Sequence, residues 1–175
     1  MIRMRLKRRK KIFLRLYKIM SAVKTKNTLN KDLKHGLQKE AERVQDFEKV
    51  FGSLTKTTQY YNFDWVNTKK HFYVEHKERN IDFGRFDSLF FDKVKYDRYL
   101  EIKKENPFAR CFIIWTCNNV PYIWEFADQF DDDDIPCFYF SRREMDRRRG
   151  HGWQPQELVN VFNEACVPFQ DFKLY

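Results

Sequence analysis

Tyr60-Tyr61-Asn62-Phe63-Asp64-Trp65-Val66, then Asn67-Thr68-Lys69-Lys70, then His71-Phe72-Tyr73-Val74-Glu75-His76-Lys77-Glu78-Arg79 is the stretch whose reading decides the fold. Aromatic and β-branched residues alternate with polar ones on both sides of a polar turn, which predicts two short strands over 60–66 and 72–79. In the first, Asp64 shares a face with Tyr60 and Asn62, while Phe63 and Trp65 point the other way. In the second, Phe72 and Val74 share one face, and Tyr73, Glu75, Lys77 and Arg79 the opposite one. Register then becomes the question. A two-residue turn at Asn67-Thr68 sets Asp64 opposite His71, about 13 Å short of Glu75 at roughly 3.3 Å per residue. A four-residue loop over 68–71 instead pairs Asn67 with Phe72 and brings Asp64 opposite Glu75, with Cβ atoms about 5 Å apart. Charges on an alternating strand ordinarily face water, and that is the plain alternative for Glu75 and Lys77.

Upstream, Leu33, Leu37, Ala41, Val44, Phe47 and Phe51 recur at helical spacing, so a helix is expected over 31–51, stopped by Gly52. Glu40 falls on the edge of that apolar stripe. It can pair with Lys34 or Arg43 on the helix surface, or aim a carboxylate into a site beside the sheet. Downstream, 80–88 reads as an irregular connection. Asp87 or Ser88 would cap a helix running to about Glu105, which Asn106-Pro107 ends. Residues 110–117 form the most apolar run and predict a central strand; 121–126 reads as an edge strand, where Pro121 is tolerated. Residues 128–134 carry four consecutive Asp without the spacing of a calcium loop. A short strand over 137–140, a basic cluster of Arg142, Arg143, Arg147, Arg148 and Arg149, and a closing helix over 156–166 complete the reading. The cluster could contact DNA or simply be solvated.

The 175 residues suit one domain, and 18 Phe, 9 Tyr and 4 Trp predict a core built on large rings. The net charge of +9 invites a nucleic-acid reading, but its distribution weakens that inference. Residues 1–34 hold 13 Lys and Arg against Asp32 alone, whereas the remainder holds 21 basic and 24 acidic groups. The positive charge therefore belongs to a tail over 1–30, which attracts phosphates of any kind; the folded domain would be 31–175. The tail could also be a nuclear import signal around 7–11, or precede a true start at Met20. Cys111, Cys117, Cys137 and Cys166 show no metal-knuckle spacing, as expected of reduced thiols inside a cell, in cytoplasm or nucleus. No apolar run approaches the roughly 20 residues of a membrane span, so no membrane association is expected.

Hydrolysis of a phosphodiester calls for carboxylates at a fixed separation to hold a hard cation, and a nearby lysine to meet the developing negative charge. Asp64, Glu75 and Lys77 offer those groups on adjacent strands. Asp64, ten residues, then Glu75-His76-Lys77 resembles the PD-(D/E)xK nucleases, over about residues 31–126. The resemblance implies an α/β restriction-endonuclease-like core, a mixed central β-sheet flanked by helices in α-β-β-α-β order. It also implies a Mg²⁺- or Mn²⁺-dependent deoxyribonuclease. Asp64, Glu75 and the carbonyl of His76 would ligate the metal, Glu40 would be a further ligand, and Lys77 would act on water and phosphate. In RecB-like members the next helix carries Q-x-x-x-Y; Lys95 and Tyr99 stand at that spacing, with Lys for Gln, and would contact substrate phosphate. The proline that usually precedes the aspartate is replaced by Phe63. Glu101-Ile102-Lys103 is a second E-x-K, but it lies within a predicted helix and lacks an upstream aspartate strand. DNA is the expected partner, with RNA compatible, and relatives commonly act as homodimers. The alternatives are a catalytically inactive nucleic-acid-binding module of the same fold and an unrelated α/β protein-interaction domain.

Overall fold

A computed structural model describes residues 38, 42–58, 62–130, 135–146 and 153–174. The expectations for the 1–30 tail, Glu40, the Asp run at 131–134 and Arg147–Arg149 lie outside the described residues. The chain divides into two units, Met1–Gln45 and Asp46–Tyr175, and the account below concerns the second.

Helix α1 covers residues 42–51 and ends as the sequence predicts. Gly52 adopts φ 75° and its N–H donates to the carbonyl of Glu48 at 2.9 Å, a left-handed helix end that glycine reaches without strain. Among the described residues eight strands and one helix follow: β1 (Thr55–Lys56), β2 (Trp65–Asn67), β3 (Phe72–Arg79), β4 (Ser88–Asp92), α2 (Lys93–Glu105), β5 (Arg110–Cys117), β6 (Val120–Glu125), β7 (Phe138–Asp146) and β8 (Trp153–Phe162), before a two-residue β9 (Val167–Pro168). Six of the strands form a mixed sheet in the order β1-β2-β3-β5-β6-β9, and three form an antiparallel sheet in the order β4-β8-β7. The fold is thus mixed α/β. Among the described residues no helix is long and apolar enough to cross a membrane.

Each face of the larger sheet has its own aromatic layer. On one, Phe47 and Phe51 of α1 and Phe169 pack against Trp65, His76 and Phe112. On the other, Phe63, Phe91, Tyr96, Tyr99, Trp115, Trp124 and Phe138 close a buried cluster contributed by α2 and both sheets. Strands β3 and β5 pair in parallel over their full lengths, Phe72 with Arg110 through Arg79 with Cys117. The α2 crossover between them makes that pairing possible, because parallel neighbours cannot be joined by a tight turn. Strand β5 is buried throughout after Arg110, as its unbroken apolar run requires of a central strand.

Several expectations need correction. The first strand of the hairpin is Trp65–Asn67, not 60–66. The chain bends at 62–64, so Phe63 packs with Phe126 and Tyr73 on the α2 side while Trp65 packs with Phe47 on the α1 side. The helix expected from Ser88 begins only at Lys93; Ser88–Asp92 is a strand paired with β8. The closing helix over 156–166 is instead β8 and a 3₁₀ turn at Asn163–Ala165. Strand β8 lies between β4 and β7, and Leu158, Val159, Asn160 and Val161 are all buried. Burial on both faces erases the alternation that would have marked it as a strand. The strand expected over 137–140 extends to Asp146 and takes in Arg142 and Arg143. Strand β6 is not an edge, since β9 covers Tyr122 and Ile123.

Candidate functional site

The hairpin register is the four-residue one. Asn67 pairs with Phe72, Val66 with Tyr73 and Trp65 with Val74. The side chain of Asn67 explains the loop length. Its Oδ1 accepts from the N–H groups of Lys69 and Lys70, both at 3.1 Å, and its Nδ2 donates to the carbonyl of Phe51 at 2.8 Å. Asn67 is 6 % exposed, so these bonds fold the loop over 68–71 and tie it to the end of α1. His71 closes the loop at φ 55°.

Regular pairing stops at Trp65. The Asp64 N–H donates to the carbonyl of Val74 at 3.0 Å, and the Asp64 carboxylate itself accepts from the N–H of His76 at 2.8 Å. A side-chain oxygen thus stands where the ladder would have offered a carbonyl, and Asp64 is held against the Glu75-His76 segment. Glu75 points into the α2-side layer, beside Ile113 on the neighbouring strand, and is 4 % exposed. Its Oε1 lies 3.4 Å from Lys77 Nζ and its Oε2 2.8 Å from Lys95 Nζ on α2. The solvated-strand alternative therefore does not describe Glu75. Burial pushes its carboxyl up to about 7, the Asp64 charge pushes the same way, and Lys77 and Lys95 draw it back only in part.

The structure brings Asp64, Glu75, Lys77 and Lys95 together. His76 contributes its backbone; its ring turns to the opposite face, where Nε2 lies 2.9 Å from Thr116 Oγ1 and the ring packs against Phe47 and Trp65. Tyr99, one turn after Lys95, is not brought to the cluster. It is buried against Phe126 and Tyr96, and burial raises its hydroxyl to about 12. Glu40 lies outside the described residues. Among the described residues no three His, Cys, Asp or Glu side chains converge as a metal-ligand group; the cluster holds two carboxylates, Asp64 and Glu75.

Two residues of the smaller sheet, Asp92 and Gln156, were not singled out in the sequence, and Arg79 was placed only on the Glu75 and Lys77 face. Asp92 ends β4 and accepts a hydrogen bond from Gln156 of β8, while Arg79 continues the Glu75 and Lys77 face of β3. Gln156 was hidden because its strand read as a helix; Arg79 was visible from the two-residue alternation, but nothing in the sequence gave it a neighbour. The chain matches no protein-family model, no curated protein and no solved structure.

Proposed function

We propose that this chain is a metal-dependent nuclease that hydrolyses DNA phosphodiesters at the Asp64, Glu75 and Lys77 cleft, with Mg²⁺ or Mn²⁺ as cofactor, on a restriction-endonuclease-like core. The observation that carries the reading is the Asp64 carboxylate bonded to the His76 N–H, alongside a buried Glu75 contacted by two lysines. An interaction domain has no need of such an arrangement, because it places a costly carboxylate in an apolar layer and sets a second one beside it.

The donor set fits a hard divalent cation. Mg²⁺ is commonly held by one or two carboxylates, with waters and substrate phosphate completing the shell. Burial chiefly, and the Asp64 charge after it, disfavour the ionised Glu75 carboxylate, and a bound cation would offset both. When bound, the cation would polarise a phosphoryl oxygen and acidify a water. The chain's own residues do the rest. Asp64 and Glu75 would hold the cation, and the His76 N–H fixes the Asp64 carboxylate. Lys77 and Lys95 supply positive charge facing Glu75 that can also meet the extra charge developing on phosphate. The water would release a proton to solvent as its oxygen bonds to phosphorus and the ester P–O bond breaks, and the leaving alkoxide would take a proton back from solvent.

Purified full-length chain incubated with linear and single-stranded DNA should cut in Mg²⁺ and stop on chelation. Asp64→Asn, Glu75→Ala and Lys77→Ala should each lower the rate by about 10² or more. Variants that cut as fast as the parent would sink the assignment.

A further inference from the structure

Strand β3 carries its charged face past Lys77 to Arg79, two residues and roughly 7 Å further on. There the guanidinium of Arg79 donates to the carbonyl of Phe90 at 3.4 Å and lies 5.3 Å from the centre of the Phe90 ring. Arg143, from β7, lies 5.4 Å from the centre of the same ring. Both arginines line one cavity of about 340 Å³, with Ile81, Phe86 and Ser88, within the range of roughly 300–1,000 Å³ typical of small-ligand pockets. Arg143 is held in place. It donates at 3.4 Å to Oδ1 of Asn160, a fully buried amide whose Nδ2 is committed to Ser141 Oγ at 2.7 Å and the Tyr139 carbonyl at 3.3 Å.

Among the described residues neither guanidinium has a carboxylate within the 4.0 Å of an ion pair. Cys117 and then Asp92 act on Arg79 from nearby, and Asp92 Oδ1 accepts a hydrogen bond from Gln156. Burial disfavours the Arg79 charge more than its neighbours restore it. Two arginines fixed at one aromatic ring, facing a cavity without a paired anion, form a phosphate-recognition arrangement. Phe86, 58 % exposed and with the Arg85 guanidinium 5.7 Å from its ring centre, lines the cavity and offers a ring face on which a base can stack.

We propose that this cavity binds a nucleotide phosphate between Arg79 and Arg143, with its base against Phe86. Resting on the nuclease reading, the bound strand continues along β3 from the Asp64 and Glu75 cleft. The phosphate could be an internal diester or a terminal monoester, and the two differ in test.

Calorimetric titration of the full chain with EDTA present separates binding from cleavage. The probes are thymidine 5′-monophosphate, inorganic phosphate, and a short oligothymidylate with 5′-hydroxyl ends. Binding of the monophosphate but not the oligonucleotide assigns a terminal monoester; binding of the oligonucleotide assigns an internal diester. Arg143→Ala, an exposed strand position, should weaken whichever probe binds by about tenfold, and Phe86→Ala should weaken nucleotides but not inorganic phosphate. Arg143→Lys, which keeps charge but loses the planar fork, should fall between. The proposal is overturned if no probe binds, or if Arg143→Ala and Arg79→Gln bind as the parent does. A chain that binds these probes yet never cleaves DNA leaves this pocket standing and removes the nuclease reading alone.

Discussion

Replacing Glu75 by Gln is expected to stabilise the protein at pH 8 while abolishing the proposed metal-dependent cleavage. The carboxyl is raised from 4.5 to about 7, chiefly by burial. Below pH 4.5 both folded and unfolded chains hold the proton and the residue is neutral in its effect. Between 4.5 and 7 the unfolded chain gives up its proton while the folded one keeps it, so stability falls as pH rises; above about 7 the loss is complete. At 1.36 kcal/mol per unit the penalty is roughly 3 kcal/mol. Lys77 and Lys95 are already counted within that net, because their attraction is part of what sets the carboxyl's position. Gln keeps the size of the side chain and sheds the charge, so a gain of about 1–3 kcal/mol at pH 8 should shrink towards zero near pH 4.5. In a domain of this size the gain corresponds to a Tm rise of roughly 3–9 °C. Thermal unfolding of parent and variant by circular dichroism at pH 5 and pH 8 reads it directly. A Glu75→Gln variant that loses more stability at pH 8 than at pH 5 would show that the lysine contacts outweigh burial, and the electrostatic account of the cleft would be wrong.

Lys95→Met should drive the Glu75 carboxyl higher still, so the pH at which stability is lost moves upward in the same unfolding series. Asn67→Ala removes three hydrogen bonds from a buried side chain and leaves the Phe51 carbonyl without its partner. The expected cost is about 1–3 kcal/mol in urea unfolding, with faster amide exchange at Lys69 and Lys70. Gly52→Ala forces a left-handed backbone on a residue with a Cβ, which would sit 3.2 Å from Asn67 Nδ2; about 1–2 kcal/mol should be lost by the same measurement.

The parts of the fold legible in the sequence were those with a single clear period or a sharp punctuation mark. Strand β3 shows alternation, β5 shows an unbroken apolar run with turn residues on both sides, and Gly52 ends α1. The register of the hairpin was legible only as a choice between two loops. What decides it is the side chain of Asn67 reaching 16 residues back to Phe51, a tertiary contact that local turn preferences do not contain. The smaller sheet was not legible. Ser88–Asp92 runs directly into α2, so its Leu89 and Phe91 merged with the helical pattern. Strand β8 is buried on both faces, and Leu158, Val159 and Phe162 also fit helical spacing. Of the candidate site, Asp64, Glu75 and Lys77 could be named from residue type and spacing, and Lys95 only through the resemblance to RecB-like nucleases. Arg143 stood out only as one member of a basic cluster, and its partnership with Arg79 depends on a sheet the sequence did not display.

The Asn67 loop has a further consequence for the order in which the carboxylate cluster and the arginine cavity come into being. Pairing of β2 with β3 closes a loop of only four residues, a contact a chain can make on the microsecond scale. The pairing of Phe90 with Asn160 joins segments 70 residues apart and belongs to the slow, non-local closures of folding. Closure of the loop around Asp64 can therefore be an early event, whereas the Glu75 contact with Lys95 and the Arg79 and Arg143 cavity need the later, non-local pairings. A chain interrupted between those events would carry its paired carboxylates without the cationic pocket beside them.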